Sequence, residues 1–276
     1  MKSLYLVLKE QITHFYLIRR LSFYELKSAN NSNYLGIAWE FLNPLIQVLI
    51  YWFVFGYGIR ARGDVELSTG ELIPFLPWMI TGFILYTLFY QSTIQGSKSI
   101  YTRLKMLSKM NFPLSIIPNI VIFSQLYIHF FMIIIAVIII YVFGYSLDIH
   151  FVQIFYFLFS TVIFSYSLAL ITSTLSTIIR DIHMLLNSSL RLLLYVSPVL
   201  WSIEDSGRMS DSIKGLLRYN PLYYLIEGYR ASFFGTSWYF IENIDLTIYF
   251  WILTLFILFL GSIVHVRFKR HLIDFV

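Results

Sequence analysis

Apolar residues gather into six long stretches, 37–59, 73–93, 115–143, 151–179, 184–203 and 246–266, separated by shorter polar segments. A helix needs about 20 such residues to cross roughly 30 Å of hydrocarbon, so the pattern predicts six transmembrane helices. The third stretch is the clearest, because from 130 to 143 its only polar side-chain atom is the Tyr141 hydroxyl. The fifth is the weakest, since Asn187, Arg191 and Pro198 interrupt it. Ahead of the first stretch, residues 3–27 lack Pro and Gly. On a helical projection Leu4, Leu8, Ile12, Phe15, Phe23 and Leu26 share one sector, with Lys9, Thr13, Arg20 and Lys27 in the next. Arg19 and Ser22 intrude on the apolar sector. A basic, aromatic-rich amphipathic helix before a span reads as lying in the membrane interface; the competing reading is a plain basic leader.

Composition sharpens this picture. Of 276 residues, 58% are hydrophobic, 19% aromatic and only 13% charged, too apolar for a water-soluble globule or a disordered chain. The absence of cysteine removes disulfide scaffolds, thiolate catalysis and cysteine metal sites. The N-terminal segment carries Lys9, Glu10, Arg19 and Arg20 and has no small-residue cleavage site, so the first span is expected to act as an uncleaved signal-anchor. Thirteen Lys and Arg fall on one side of the six spans and six on the other, which predicts cytoplasmic termini and accounts for the net charge of +5 without nucleic acid. No repeat or soluble segment intervenes, so residues 1–276 form one membrane domain.

Several polar groups fall where lipid would not tolerate them. Glu40, Asn43, Gln47 and Tyr51 lie on one face of the first span, and Asn187, Arg191 and Tyr195 recur at steps of four in the fifth. Such groups mark a substrate path by default. For Arg191, snorkelling or pairing with Asp181 or Glu40 is an equal alternative. In the fourth span Ser165, Ala169, Ser173 and Thr177 make a ridge suited to close helix packing. The basic loop 98–111 would place Ile100, Leu104 and Leu107 on one side of a helix and Arg103 and Lys109 elsewhere; a loop that only sets topology competes with this. In the outer segment 204–245, Asn220-Pro221 marks a helix start and Gly235 an end. The intervening helix carries Tyr223, Tyr224, Glu227, Tyr229, Arg230, Phe233 and Phe234. It is too short to cross, and reads as a re-entrant or interfacial element. The six His show no metal-ligand spacing, and there is no catalytic motif and no phosphate-binding loop. Energy must come from an ion gradient or a separate ATPase. The lack of a buried acid–histidine relay favours the ATPase.

The strings "FYLIRRLSFYELKSANNSNYLGIAWEFLNPLIQ", "QGSKSIYTRLKMLSKMNFPLS", "STLSTIIRDIHML", "SPVLW" and "NPLYYLIEGYRASFFGTSWYF", with the tail "HVRFKRHLIDFV", run in order over nearly the whole chain. They resemble the permease subunits of bacterial ABC-2 type polysaccharide exporters, the longer strings being most similar to the wall teichoic acid translocation permeases. The Leu-Gly…Trp…Asn-Pro, Phe-Pro, Arg-Asp and Asn-Pro…Glu-Gly-Tyr-Arg elements are shared with O-antigen and capsule exporters. The resemblance implies an all-α membrane protein with an amphipathic interface helix (1–34), a six-span bundle (37–267), a coupling helix (98–112) and an outer gating segment (204–245). It implies a homodimer bound to two ATP-binding cassette subunits, which would hold the ATP and Mg; the permease itself would carry no catalytic site. Lys98, Arg103, Lys105 and Lys109, with Arg180 and Asp181, would meet the ATPase. The substrate would be an undecaprenyl-diphosphate-linked polymer moved to the outer leaflet of the plasma membrane. A gradient-driven flippase and an intramembrane glycosyltransferase are the competing classes.

Overall fold

The computed structural model describes residues 2–28, 33–59, 64–66, 72–104, 112–203, 210–235 and 237–269. The chain enters through α1 (Lys2–Thr13) and α2 (Phe15–Ser28). Together they occupy the expected interface helix, but a break at His14 divides it in two. α3 (Ala38–Tyr51) contains Pro44 and widens into a π-helical segment, Trp52–Ile59. A two-stranded antiparallel hairpin follows, β1 (Asp64–Glu66) on β2 (Leu72–Pro74), in the register Val65 opposite Ile73. It was not expected from the sequence. Burial of Val65 and Ile73 fastens it to the main core.

α4 (Phe75–Lys98) runs through the middle of the molecule, flanked by α5 (Ile117–Val142) and α6 (Ile154–Ile178). α7 (Asp181–Val196), α8 (Asp211–Arg218), α9 (Pro221–Phe234), α10 (Tyr239–Glu242) and α11 (Ile244–Phe268) complete the fold. Aromatic rings fill the core between these helices, including a stacked Phe89–Phe164 pair at 5.4 Å and Phe250 tilted against Phe164 at 5.6 Å. Ser165, Ala169 and Ser173, on the small-residue ridge of α6, are all fully buried, and Thr177 is half-buried.

Among the described residues, four helices rather than six are both long and apolar enough to cross a bilayer: Ala38–Gly58, Leu114–Val142, Ile149–Ile178 and Ile244–Phe268. The other two expected spans differ for separate reasons. α4 has the length, 24 residues, but carries Gln91, Gln95 and several hydroxyls; Thr81, Ser92, Thr93 and Ser97 are buried and both glutamines are half-buried. α7 has only 16 residues, or about 24 Å at 1.5 Å per residue. Pro198 disfavours a helical Ser197, whose ψ of 147° ends the helix at Val196.

α1 and α2 are fixed by a face that borders their apolar sector and shares only part of it. Val7, Ile18, Ser22 and Leu26 point inward, whereas Leu8, Ile12, Phe15 and Phe23 remain exposed, Ile12 by 78%. Polar contacts make that inward face possible. Gln11 Nε2 donates to the Tyr166 hydroxyl at 2.8 Å and to the Ser115 carbonyl at 3.0 Å, while Asn119 Nδ2 donates to Gln11 Oε1 at 2.9 Å. Lys269 Nζ reaches Glu10 Oε1 at 2.8 Å, and the Ser115 hydroxyl donates to the other Glu10 oxygen. Burial of Glu10 raises its pKa, but Lys269, Ser115 and His265 outweigh that and hold the carboxyl below its ordinary value.

Candidate functional site

Four of the residues expected along a path converge between α3, α4 and α7. Tyr51, at the end of α3, meets Phe83 edge-on at 5.4 Å and lies within electrostatic reach of Tyr90 and Tyr195. On α4, Tyr86 stacks on Tyr90 with centroids 6.0 Å apart, and its hydroxyl donates to the Leu190 carbonyl at 2.5 Å. The Tyr90 hydroxyl donates to Asn187 Oδ1 at 2.8 Å and accepts a long contact from Arg191 Nε at 3.5 Å. Arg191 itself is exposed, and Tyr195 is too. The result is an open-edged cluster of phenols, an amide and a guanidinium, with aromatic faces and hydroxyls offered together. Tyr86 and Tyr90 were missed in the sequence because they sit inside an apolar stretch. Their i, i+4 spacing was the available signal.

The other three path residues are placed differently. Asn43 and Gln47 are exposed on α3, and Glu40 is half-buried near its start. On that helix Pro44 and Val48 turn inward, and Phe41 packs edge-on against Phe131 of α5 at 4.8 Å. These three therefore lie along α3 away from the tyrosine cluster, which the stripe reaches through Tyr51.

α9 starts as expected. The Asn220 side-chain oxygen accepts from the Leu222 N–H at 3.0 Å, and its amide donates to Ser197 Oγ at 2.9 Å. The helix ends at Gly235, whose φ is −76° rather than left-handed. Tyr223, Tyr224, Tyr229, Arg230 and Phe233 are buried, while Glu227 and Phe234 are half-buried, so protein encloses most of the helix. Gly228 permits the approach, since a Cβ there would lie 2.1 Å from the Phe157 ring.

Arg230 is the most constrained cation in the described structure. Its Nη1 donates to Glu227 Oε1 at 2.6 Å and its Nη2 to the Val199 carbonyl at 2.9 Å. The guanidinium lies 3.6 Å from the Trp78 ring centroid, and a Cβ on Gly82 would fall 2.7 Å from Nη2. Two further links tie α9 down. Tyr229 and His129 Nε2 are 2.7 Å apart, and the Tyr224 hydroxyl meets Tyr156 at 3.0 Å and Thr247 at 2.9 Å.

A family model described as ABC-2 type transporter matches residues 16–234. The chain belongs to that family. It is a multi-pass protein of the plasma membrane, and membership implies an ATP-hydrolysing partner. Relatives include the O-antigen export system permease protein RfbA of Klebsiella pneumoniae, 27% identical over 219 residues covering 76% of each chain. Another is the protein of that name from Myxococcus xanthus, 26% identical over 217 residues, 76% of this chain and 77% of the relative. These names stand with the O-antigen side of the expected pair, not with teichoic acid.

The residues expected to meet an ATPase partner are placed as follows. Lys98 is the last residue of α4, and Arg103 closes a 3-10 turn, Tyr101–Arg103. Arg103 Nη1 donates to the Ser99 carbonyl at 2.8 Å, and its other amino group pairs with Glu25 of α2. Ile100 and Leu104 are buried with Leu114 and Ile117. Lys105 and Lys109 lie outside the described residues. Arg180 and Asp181 are exposed at the start of α7, and the next residues bring that turn to the first segment: Ser97 Oγ and His183 Nδ1 are 2.7 Å apart, and Tyr101 meets His183 edge-on at 6.2 Å.

Proposed function

We propose that this chain is the membrane subunit of an ATP-driven exporter of lipid-linked polysaccharide. The observation that carries the reading is the Tyr51, Tyr86, Tyr90, Asn187, Arg191 and Tyr195 cluster in a chain of the ABC-2 family. Tyrosine faces accept sugar rings while their hydroxyls and the amide exchange hydrogen bonds with sugar hydroxyls, and Arg191 offers charge to phosphate or carboxylate. The export names of the relatives support the same class. An O-antigen-type glycan on an undecaprenyl diphosphate carrier is the substrate proposed first. Wall teichoic acid is the second reading, supported by the strings around 95–115.

In this account six helices span the membrane with both termini in the cytoplasm, and two copies of the chain flank the path. Glu40, Asn43 and Gln47 would line its rim. Two ATP-binding cassette subunits, holding ATP and Mg, would seat on Lys98, Arg103, Lys105 and Lys109 and on the Arg180-Asp181 turn. α9 would be the outer gate. A gate must have two arrangements of similar energy, and its enclosed helix, held by a few specific polar links, is suited to that.

Reconstitution with the cognate ATPase tests the reading by ATP turnover. Lipid-linked O-antigen-type glycan should stimulate turnover, and a Y90F/R191Q variant should respond weakly. Stimulation by lipid-linked teichoic acid precursor alone would move the assignment to the second reading. A response to neither polymer would overturn the polysaccharide class.

A further inference from the structure

Outside the path, α2 and α5 enclose an open groove of about 350 Å³ lined by Tyr16, Arg19, Arg20, Phe23, Tyr24 and Tyr127. Five of the six recur on α2 at helical spacing, and Tyr127 supplies the wall from α5. Phe23 meets Tyr127 edge-on at 6.1 Å, and Ser22 Oγ lies 3.4 Å from the Tyr127 hydroxyl, which fixes that wall. Both arginines are exposed, and neither has an ion-pair partner among the described residues. Glu25, the acid on the same helix, is committed to Arg103.

Two adjacent guanidinium groups repel each other, and an anion between them relieves that repulsion. Planar N–H forks suit phosphate oxygens in particular. Phenol hydroxyls at the groove's edge can donate to the same oxygens. The apolar surroundings narrow the choice further, because Phe15, one turn before Arg19, and Ile12 are exposed beside this basic face. A soluble anion would make no use of them, but an acyl chain would. If α1 and α2 lie in the membrane interface, cation and aromatic sit at head-group depth with apolar side chains alongside.

We infer that this groove is a binding site for the phosphate head group of an anionic bilayer lipid, distinct from the transport path. The lipid would hold α2 at a fixed depth against α5, and through Glu25 and Arg103 would bear on the segment that follows α4.

Native mass spectrometry of the chain with its ATPase, titrated with phosphatidylglycerol, tests this. The wild type should retain one phosphatidylglycerol per chain that R19Q/R20Q loses, with apparent affinity lower by about tenfold or more. Phosphatidylcholine should not occupy the site, and inorganic phosphate should not compete. An unchanged size-exclusion profile would show that the variant is folded. Equal lipid retention by the two proteins overturns the inference, as does competition by inorganic phosphate. Displacement by undecaprenyl diphosphate at concentrations below those needed for phosphatidylglycerol would overturn the assignment to a bilayer lipid. R191Q should keep the lipid, so a failure here and a failure of the transport reading are separable.

Discussion

Breaking the Arg230–Glu227 pair from its two ends should have unequal consequences. The Arg230 side chain is only 2% exposed, whereas that of Glu227 is 26% exposed. E227Q leaves a cation buried under Trp78 with a neutral partner, and a buried charge stripped of its counter-ion costs about 3–5 kcal/mol. The pair's attraction points to the same scale, about 4 kcal/mol for unit charges 4 Å apart at an effective dielectric of 20. R230M instead removes the charge, keeps much of the apolar stem volume and lets Glu227 hydrate. It forfeits the bond to the Val199 carbonyl and the contact with Trp78, for about 1–3 kcal/mol. E227Q should therefore be the more damaging single change, and the double variant should resemble R230M rather than the sum of the two. Denaturant titration of the purified complex, followed by tryptophan fluorescence, measures all three. If R230M proves costlier than E227Q, or the two effects simply add, the account of Arg230 as a buried charge that requires its carboxylate is wrong.

Three other outcomes follow from the geometry. G228A should fail to accumulate at wild-type level, because its methyl would overlap the Phe157 ring, and a companion F157A should restore part of the loss; immunoblotting of membranes reads both. Glu10 has a lowered pKa in the folded chain, so the stability it contributes is present above the unfolded Glu pKa, about 4.3, and is lost as pH falls through the folded value. Thermal melting of the wild type should therefore drop across that acidic range, and E10Q should lessen the dependence while lowering stability at neutral pH. Y229F should destabilise by about 1–3 kcal/mol, because His129 loses its buried partner, and H129F/Y229F should recover part of that in the same denaturant titration.

What could be read from the sequence, and what could not, divides along the distance between interacting residues. The ends of α9 were legible because Asn220, Pro221 and Gly235 act on backbone within a few positions of themselves. The Glu227–Arg230 spacing was legible for the same reason. The depth at which Arg230 is held was not, since Trp78, Gly82 and Val199 come from distant segments. The tyrosine cluster was half legible: Asn187, Arg191 and Tyr195 stood out as polar positions in an apolar run, but Tyr86 and Tyr90 count as hydrophobic until a partner for each hydroxyl is known. The inward face of α1 and α2 was misjudged from projection alone. Ser22 looks like an intruder on the apolar sector, and Gln11 draws no notice, until Ser115, Asn119, Tyr166 and Tyr127 are seen to meet them. α8, with Ser210 before an Asp at its first position, showed a start signal that went unused.

The contact between Glu10 and Lys269 joins residues 259 positions apart. At an elongation rate of about 5–20 residues per second, Lys269 leaves the ribosome roughly 13–50 s after Glu10. For all that time α1 has only part of its final seat, because the end of α11 does not yet exist. Until then the Glu10 carboxylate lacks its Lys269 partner. Closing the Glu10–Lys269 clasp is then a step that waits for the end of α11. Chains that lack α11 should hold α1 less firmly, which makes this one ion pair a check that α11 is in place.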